Sequence, residues 1–178
     1  DFGCNPCSEI LLRSDQFCNL TEVVIREDDT YETLERKVKL ATLIGTLQAT
    51  LTKFRYLSKS WQTNTEEEAL LGVSFTGIMD NPVMSGMSKA TLEEWLQALK
   101  ETSIETNKEW AKKLGINPAA AITCVKPSGT VSQLVDSSSG IHTRYSPYYI
   151  RTVRADKKDP LARMMVDKGF PVEDDVMK

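Results

Sequence analysis

Apolar residues Leu34, Val38, Ala41, Ile44, Leu47 and Leu51 recur at spacings of three and four, which marks one buried face of a helix. Asp29 and Thr30 can cap that helix, and the pattern carries it to about Phe54. Asn64-Thr65 ahead of Glu66, Glu67 and Glu68 predicts a second helix start, with carboxylates where the dipole favours them. A short strand or turn follows from Val73 to Ile78. Thr91 and Glu94 have capping-box spacing, and Trp95, Leu96, Leu99, Trp110 and Leu114 continue a helix that Gly115 and Pro118 end. The apolar run 119–125 predicts a buried strand that enters Lys126-Pro127-Ser128-Gly129-Thr130, with a helix beginning near Val131. Ser137 to Gly140 reads as a loop, Tyr148 to Arg154 as a strand, and Pro160 to Lys168 as a helix closed by Gly169. Helices alternating with short strands predict an α/β architecture with parallel strands, as one unit or one contiguous fragment.

Composition narrows the function without choosing it. With 178 residues, 40% of them hydrophobic and 26% charged, the chain can bury a core as one domain or as a piece of a larger one. A net charge of −3 argues against a broad grip on a nucleic acid polymer or an anionic membrane, although a local site can still hold a nucleotide. No apolar run approaches the roughly 20 residues of a membrane span, and no cationic leader precedes the first motif, so a cytoplasmic location is expected.

The chemistry concentrates in Asn5-Pro6-Cys7-Ser8-Glu9 and in Cys18, which place an amide, two thiols and a carboxylate in one short segment. Cys4 and Cys7 have the spacing of a zinc or redox pair, but two further ligands are wanting and His142 is the single histidine, so no metal site is expected. Grouped thiols beside a carboxylate point instead to catalysis. A Cys7 nucleophile of the non-radical kind stays open, with His142 as the available base. In the second motif, Gly129 lets backbone approach a ligand while Ser128 and Thr130 offer hydroxyls near a helix start, a combination able to seat phosphate. The spacing is not that of a nucleotide-hydrolase P-loop, and an ordinary turn is the plainer reading of the motif by itself. Cys4 and Cys124 read as buried filler, His142 as structural, Arg144, Arg151 and Arg154 as scattered ion pairs, and Asp80-Asn81 as a turn.

Together the motifs resemble ribonucleotide reductases. Asn5 to Glu9 looks like the family's active-site finger loop and Lys126 to Thr130 like its substrate-phosphate loop. The Cys7-to-Cys18 spacing, with Phe17-Cys18-Asn19-Leu20, is similar to the adenosylcobalamin-dependent class II enzymes. The stretch from Ser128 to Arg154 most resembles the monomer-type ribonucleoside-triphosphate reductases. The resemblance implies the second half of a ribonucleotide-reductase-type α/β barrel, with the finger loop over 1–20 and the half-barrel over 21–178. It implies adenosylcobalamin as cofactor, Cys7 as thiyl carrier, Glu9 as general base, Asn5 as orienting amide and Cys18 as reductant. Pro127, Ser128, Gly129, Thr130, Val131 and Ser8 are the implied substrate contacts. The implied partners are a ribonucleoside triphosphate, a thioredoxin-type reductant and the N-terminal half of the enzyme, with the chain inactive by itself. Alternatives are a diphosphate substrate or a non-catalytic nucleotide-binding module.

Overall fold

A computed structural model describes residues 2–176. The chain forms two compact units, one ending at Arg144 and one beginning at Tyr145.

The first unit opens with a hairpin in which β1 (Phe2–Cys4) pairs antiparallel with β2 (Leu11–Arg13), Cys4 standing opposite Leu11. Asn-Pro supplies the turn: Pro6 presets φ at the second turn position, and the Ser8 amide donates to the Asn5 carbonyl at 2.9 Å. Sequence reading treats this region only as a loop. The antiparallel pair is too short to show an alternating pattern.

Behind the hairpin lies a parallel layer. β3 (Asn19–Val24) pairs in parallel with β4 (Leu71–Thr76), from Asn19 opposite Leu71 to Val24 opposite Thr76. On the other side of β4 runs the 119–125 segment, joined by a parallel bridge between Val73 and Thr123. The Leu71 amide donates to the Ala121 carbonyl at 2.9 Å, and the Cys124 amide to the Val73 carbonyl at 3.0 Å. Parallel α/β organisation is therefore as expected, although 119–125 is a brief bridge rather than a full strand, and Val125 is exposed. Helices α1 (Tyr31–Gln48), α2 (Lys59–Glu68) and α3 (Lys89–Leu114) make the crossovers, and α1 packs on β3, β4 and α3. Ile25, Leu34, Val38, Leu71, Val73 and Leu99 form the centre of the core. Among the described residues, no helix is long and apolar enough to cross a membrane.

Three helix boundaries differ from the sequence reading. α1 stops at Gln48, not near Phe54, because the Thr50 amide and hydroxyl both turn back to the Leu47 carbonyl, at 3.2 and 2.7 Å. Its buried face is Leu34, Val38, Ala41, Thr42, Gly45 and Thr46, whereas Ile44, Leu47 and Leu51 are exposed. Close approach selects the small residues: a side chain on Gly45 would meet Leu71 at 3.4 Å, and Asn107 of α3 donates to the Thr46 hydroxyl at 3.0 Å. α2 begins after Ser58, so Glu66, Glu67 and Glu68 sit at the end where the dipole disfavours them. Glu66 accepts from Thr52 at 2.9 Å and Gln62 at 2.7 Å, and Glu68 accepts from Arg13 and Gln16. Those partners give Glu66 and Glu68 local compensation at the unfavourable end. α3 is capped by Ser88, which accepts from the Thr91 amide, rather than by a Thr91–Glu94 box, and it ends at Gly115 as expected.

Asp80-Asn81 is a turn, following a 3₁₀ turn at Ile78–Asp80, but Asn81 is also a buried junction. Its amide nitrogen donates to the carbonyls of Arg26, Glu27 and Asp29, and its oxygen accepts from the amides of Val83 and Met84. Asn81→Ala leaves those groups unpaired away from water. We expect a loss of about 2 kcal/mol, read as a lower urea midpoint with an unchanged slope.

In the second unit α5 (Pro160–Asp167) is capped by Asp159, which accepts from the Leu161 amide at 2.8 Å, close to the expected span. The expected strand from Tyr148 to Arg154 does not form. β-branched and aromatic residues favour strands only where a neighbour pairs with them, and here Tyr148 and Ile150 lie almost wholly in solvent. Arg154 pairs with Asp175 at 3.0 Å, in line with the ion-pair reading.

Candidate active site

Cys7 projects from the tip of the β1–β2 hairpin and is exposed. Asn5 shapes the tip twice over: its amide donates to the Ile10 carbonyl at 3.2 Å, and its side-chain oxygen accepts from the Ile10 amide at 3.0 Å. Ser8 takes a left-handed conformation, φ 63°, which turns the chain back so that Glu9 points inward. The Glu9 side chain is only 3% exposed.

Lys126, immediately after the 119–125 segment, comes up beneath this tip. Its Nζ donates to Glu9 Oε1 at 2.9 Å and lies 3.5 Å from Cys7 Sγ. Burial pushes the Glu9 carboxyl up, but hydrogen bonds from Lys126, from Glu9's own amide and from the Asn5 side chain, with the Lys126 charge, hold it below its ordinary value. The hydrogen bond to Glu9 in turn raises Lys126 against its own desolvation. Glu9 Oε2 is buried with no well-formed hydrogen bond.

Cys18 and Cys124 approach one another over Gly72. A side chain there would overlap Leu20 Cδ2 and would meet Cys18 Sγ at 3.0 Å and Cys124 Sγ at 3.2 Å, so the missing Cβ leaves room for Leu20 and both thiols. Burial, followed by the neighbouring Cys124 and Glu9, pushes the Cys18 thiol up to about 12. Cys124 is also raised, first by burial and then by Glu9. All four cysteines are free. Cys4 is exposed rather than buried filler, because among the described residues no layer covers it on the two-stranded hairpin; its Sγ lies 3.6 Å from the Ser8 hydroxyl. Cys124 is half-buried.

The Pro127-to-Val131 turn leads into the short helix α4 (Thr130–Leu134). Ser128 is buried, and its hydroxyl accepts from the Ser132 amide at 3.2 Å. Its carbonyl accepts from Ser139, which ties the turn to the 137–140 loop. Gly129, Thr130 and Val131 are exposed, and a side chain on Gly129 would meet nothing within 4 Å. The open face of this turn is thus backbone and Thr130, while Ser128 supports it from within. The 137–140 loop is anchored by Asp80, whose carboxylate accepts from the Ser138 amide at 2.7 Å and from Arg144 at 3.1 Å. His142 is exposed, and its backbone closes a turn onto Ser139. Among the described residues, no group of three His, Cys, Asp or Glu side chains could hold a metal ion.

Tertiary structure thus joins Cys7 and Glu9 to the head of the 126–131 turn, and it gathers Cys18 and Cys124 close by. Sequence reasoning placed Lys126 at the head of the phosphate-type motif but gave it no role beside Glu9. The one available signal was its place at the junction of an apolar run and the glycine-containing turn.

No protein-family model matches the chain. Over 98% of its length the chain is 30% identical to an adenosylcobalamin-dependent ribonucleoside-triphosphate reductase of Lactobacillus acidophilus. It is 28% identical over the same share to one of Lactobacillus leichmannii. The chain spans about a quarter of the length of these curated relatives, 26% in each case. A crystal structure described as a B12-dependent (class II) ribonucleotide reductase superposes on 99% of the chain with a TM-score of 0.72 at 24% identity, and the match takes in 28% of that structure. The chain therefore has the α/β fold of part of that enzyme. Its similarity is to the class and substrate type that its two motifs resemble.

Proposed function

We propose that this chain is a segment of the catalytic chain of a cytoplasmic, adenosylcobalamin-dependent ribonucleoside-triphosphate reductase. Residues 1–178 form one contiguous piece of its barrel, the second half, with the finger loop over 1–20. The observation that carries this reading is the convergence of Cys7, Glu9 and Lys126 at the head of the 126–131 turn, in a chain similar along 98% of its length to such reductases.

Replacing the ribose 2′-hydroxyl by hydrogen requires a poor leaving group to depart from an unactivated carbon, which calls for radical chemistry. When bound, adenosylcobalamin supplies the radical. An exposed thiol on a projecting tip, with the carboxylate buried behind it, suits a cofactor that approaches from outside this segment, and Cys7 is the residue that would meet it. Cys7 as a thiyl takes the 3′-hydrogen. Glu9, held as the carboxylate, accepts the 3′-hydroxyl proton, and the 2′-oxygen leaves as water. Asn5 holds the loop through its oxygen, which leaves its NH₂ group to face Glu9 and substrate.

The net change adds two electrons and two protons to the substrate. Cys18, kept protonated by burial, and a second cysteine in the rest of the enzyme together give up a proton, a hydrogen atom and a further electron and end as a disulfide, while Cys7 returns the hydrogen to C3′ and Glu9 returns the proton to the 3′-oxygen. A thioredoxin-type dithiol then reduces that disulfide. Pro127, Ser128, Gly129, Thr130 and Val131, with Ser8 at the finger tip, bind the triphosphate.

The test uses the full-length enzyme with adenosylcobalamin and a dithiol. Ribonucleoside triphosphates should yield 2′-deoxynucleoside triphosphates, with kcat/KM roughly tenfold or more above that for diphosphates, a difference of about 1.4 kcal/mol. Omitting adenosylcobalamin should stop the reaction. Equal use of diphosphates would overturn the substrate assignment, and nucleotide binding without any product would favour a binding module.

A further inference from the structure

We propose that Lys126 is a positioning residue that keeps Glu9 in its proton-accepting form and holds it beside Cys7. The inference rests on the reading of Glu9 as general base.

A carboxyl that is 3% exposed, with one oxygen lacking a well-formed hydrogen bond, is in surroundings that favour the neutral acid. A neutral acid cannot accept the 3′-hydroxyl proton. Among the described residues, the other groups that act on Glu9 carry no compensating charge: they are the thiols Cys18 and Cys124, its own backbone amide and the Asn5 side chain. Lys126 is the cation in contact, 2.9 Å from Oε1 and 25% exposed, so water screens the pair only in part. The same Nζ lies 3.5 Å from Cys7 Sγ. One ammonium therefore spans the base and the hydrogen-abstracting sulfur, and fixes their separation before substrate arrives. Lys126 also begins the turn assigned to phosphate, so the backbone that would seat the substrate carries the group that charges the base.

The experiment compares Lys126→Met, Lys126→Gln and Lys126→Arg in the full-length enzyme with adenosylcobalamin and dithiol, alongside Glu9→Gln. An opposite charge within contact distance lowers a carboxyl by about 1–3 pH units, so the acid limb of kcat/KM should move up by that amount in Lys126→Met and Lys126→Gln. Turnover lost near neutral pH should return as pH rises, and Lys126→Arg should keep the wild-type limb. A lysine that only supported the fold would lower activity equally at every pH. An acid limb that stays in place in both uncharged variants, or a loss that alkaline pH does not repair, overturns the inference. Should Lys126→Met not fold, Lys126→Gln and the direct titration of the Glu9 carboxyl by infrared difference spectroscopy decide the same question. Glu9→Gln separates the two readings. If it is inactive while the limb is unmoved, the role of Lys126 falls and the base assignment stands; if it is active, the base assignment itself falls.

Discussion

Cys7→Ser in the full-length enzyme is expected to reduce deoxynucleotide formation by more than about 10³-fold, which corresponds to roughly 4 kcal/mol of barrier. Cys7 is exposed at the hairpin tip, so the substitution removes little packing, and exposed positions typically change stability by no more than about 0.5 kcal/mol. What changes is the bond that must yield a radical: a serine O–H is much stronger than a cysteine S–H, and hydrogen-atom transfer from it is steeply uphill. Nucleotide binding should persist, because the 126–131 turn is untouched. Steady-state product analysis with labelled triphosphate, set beside equilibrium nucleotide binding, gives both readings. Activity above a tenth of wild type would remove Cys7 from the mechanism. The non-radical thiol alternative gains nothing from the structure, since His142 closes a separate turn and does not contact Cys7.

The second large effect is on stability. Gly77 leaves β4 with φ +78°, and a Cβ there would stand 2.4 Å from the Ile25 carbonyl oxygen, a backbone atom in the centre of the core. The Gly77 amide meanwhile donates to the Ser138 carbonyl at 2.9 Å. Gly77→Ala should cost about 2–5 kcal/mol, the sum of roughly 1–2 for the left-handed backbone and 1–3 for overlap that the chain must move to relieve. Gly115→Ala is the control. Gly115 has φ +71° with nothing within 4 Å of an added Cβ, so only the backbone cost of about 1–2 kcal/mol applies. Urea unfolding of the two variants should differ by the overlap contribution. Equal losses would mean that the end of β3 yields freely. Because Gly77 holds the 137–140 loop, which in turn holds Ser128, Gly77→Ala should also weaken triphosphate binding, whereas Gly115→Ala should not.

Much of the architecture was legible because its causes are local. The Thr30 cap, the Gly115 stop, Pro160 opening α5 and the alternation of helix with short apolar runs each depend on residues within a turn or two of one another. Several of the failures arise from contacts distant in sequence. Ile44 and Leu47 fit an apolar stripe, yet the sheet and α3 approach so closely that Thr42, Gly45 and Thr46 take the buried face. Glu66 to Glu68 resemble a helix start, yet they stand at a helix end, where Glu66 is held by Gln62 and by Thr52, 14 residues away, and Glu68 by Gln16 and Arg13, 52 and 55 residues away. Tyr148 to Arg154 has strand composition but no pairing strand among the described residues.

At the candidate site the sequence alone determined the kinds of groups, namely an amide, thiols and a carboxylate in one short segment, a glycine-containing turn after an apolar run, and the family both resemble. Their spacing along the chain is short enough to read directly. Only the tertiary structure decided that Lys126 reaches Glu9 across 117 residues, that Cys124 shares the space over Gly72 with Cys18, and that the Ser128 hydroxyl faces inward. Those contacts arise because the 119–125 segment lies on the far side of β4 from β3, and pairing between strands so distant in sequence is set by the packing of the whole layer rather than by any local pattern.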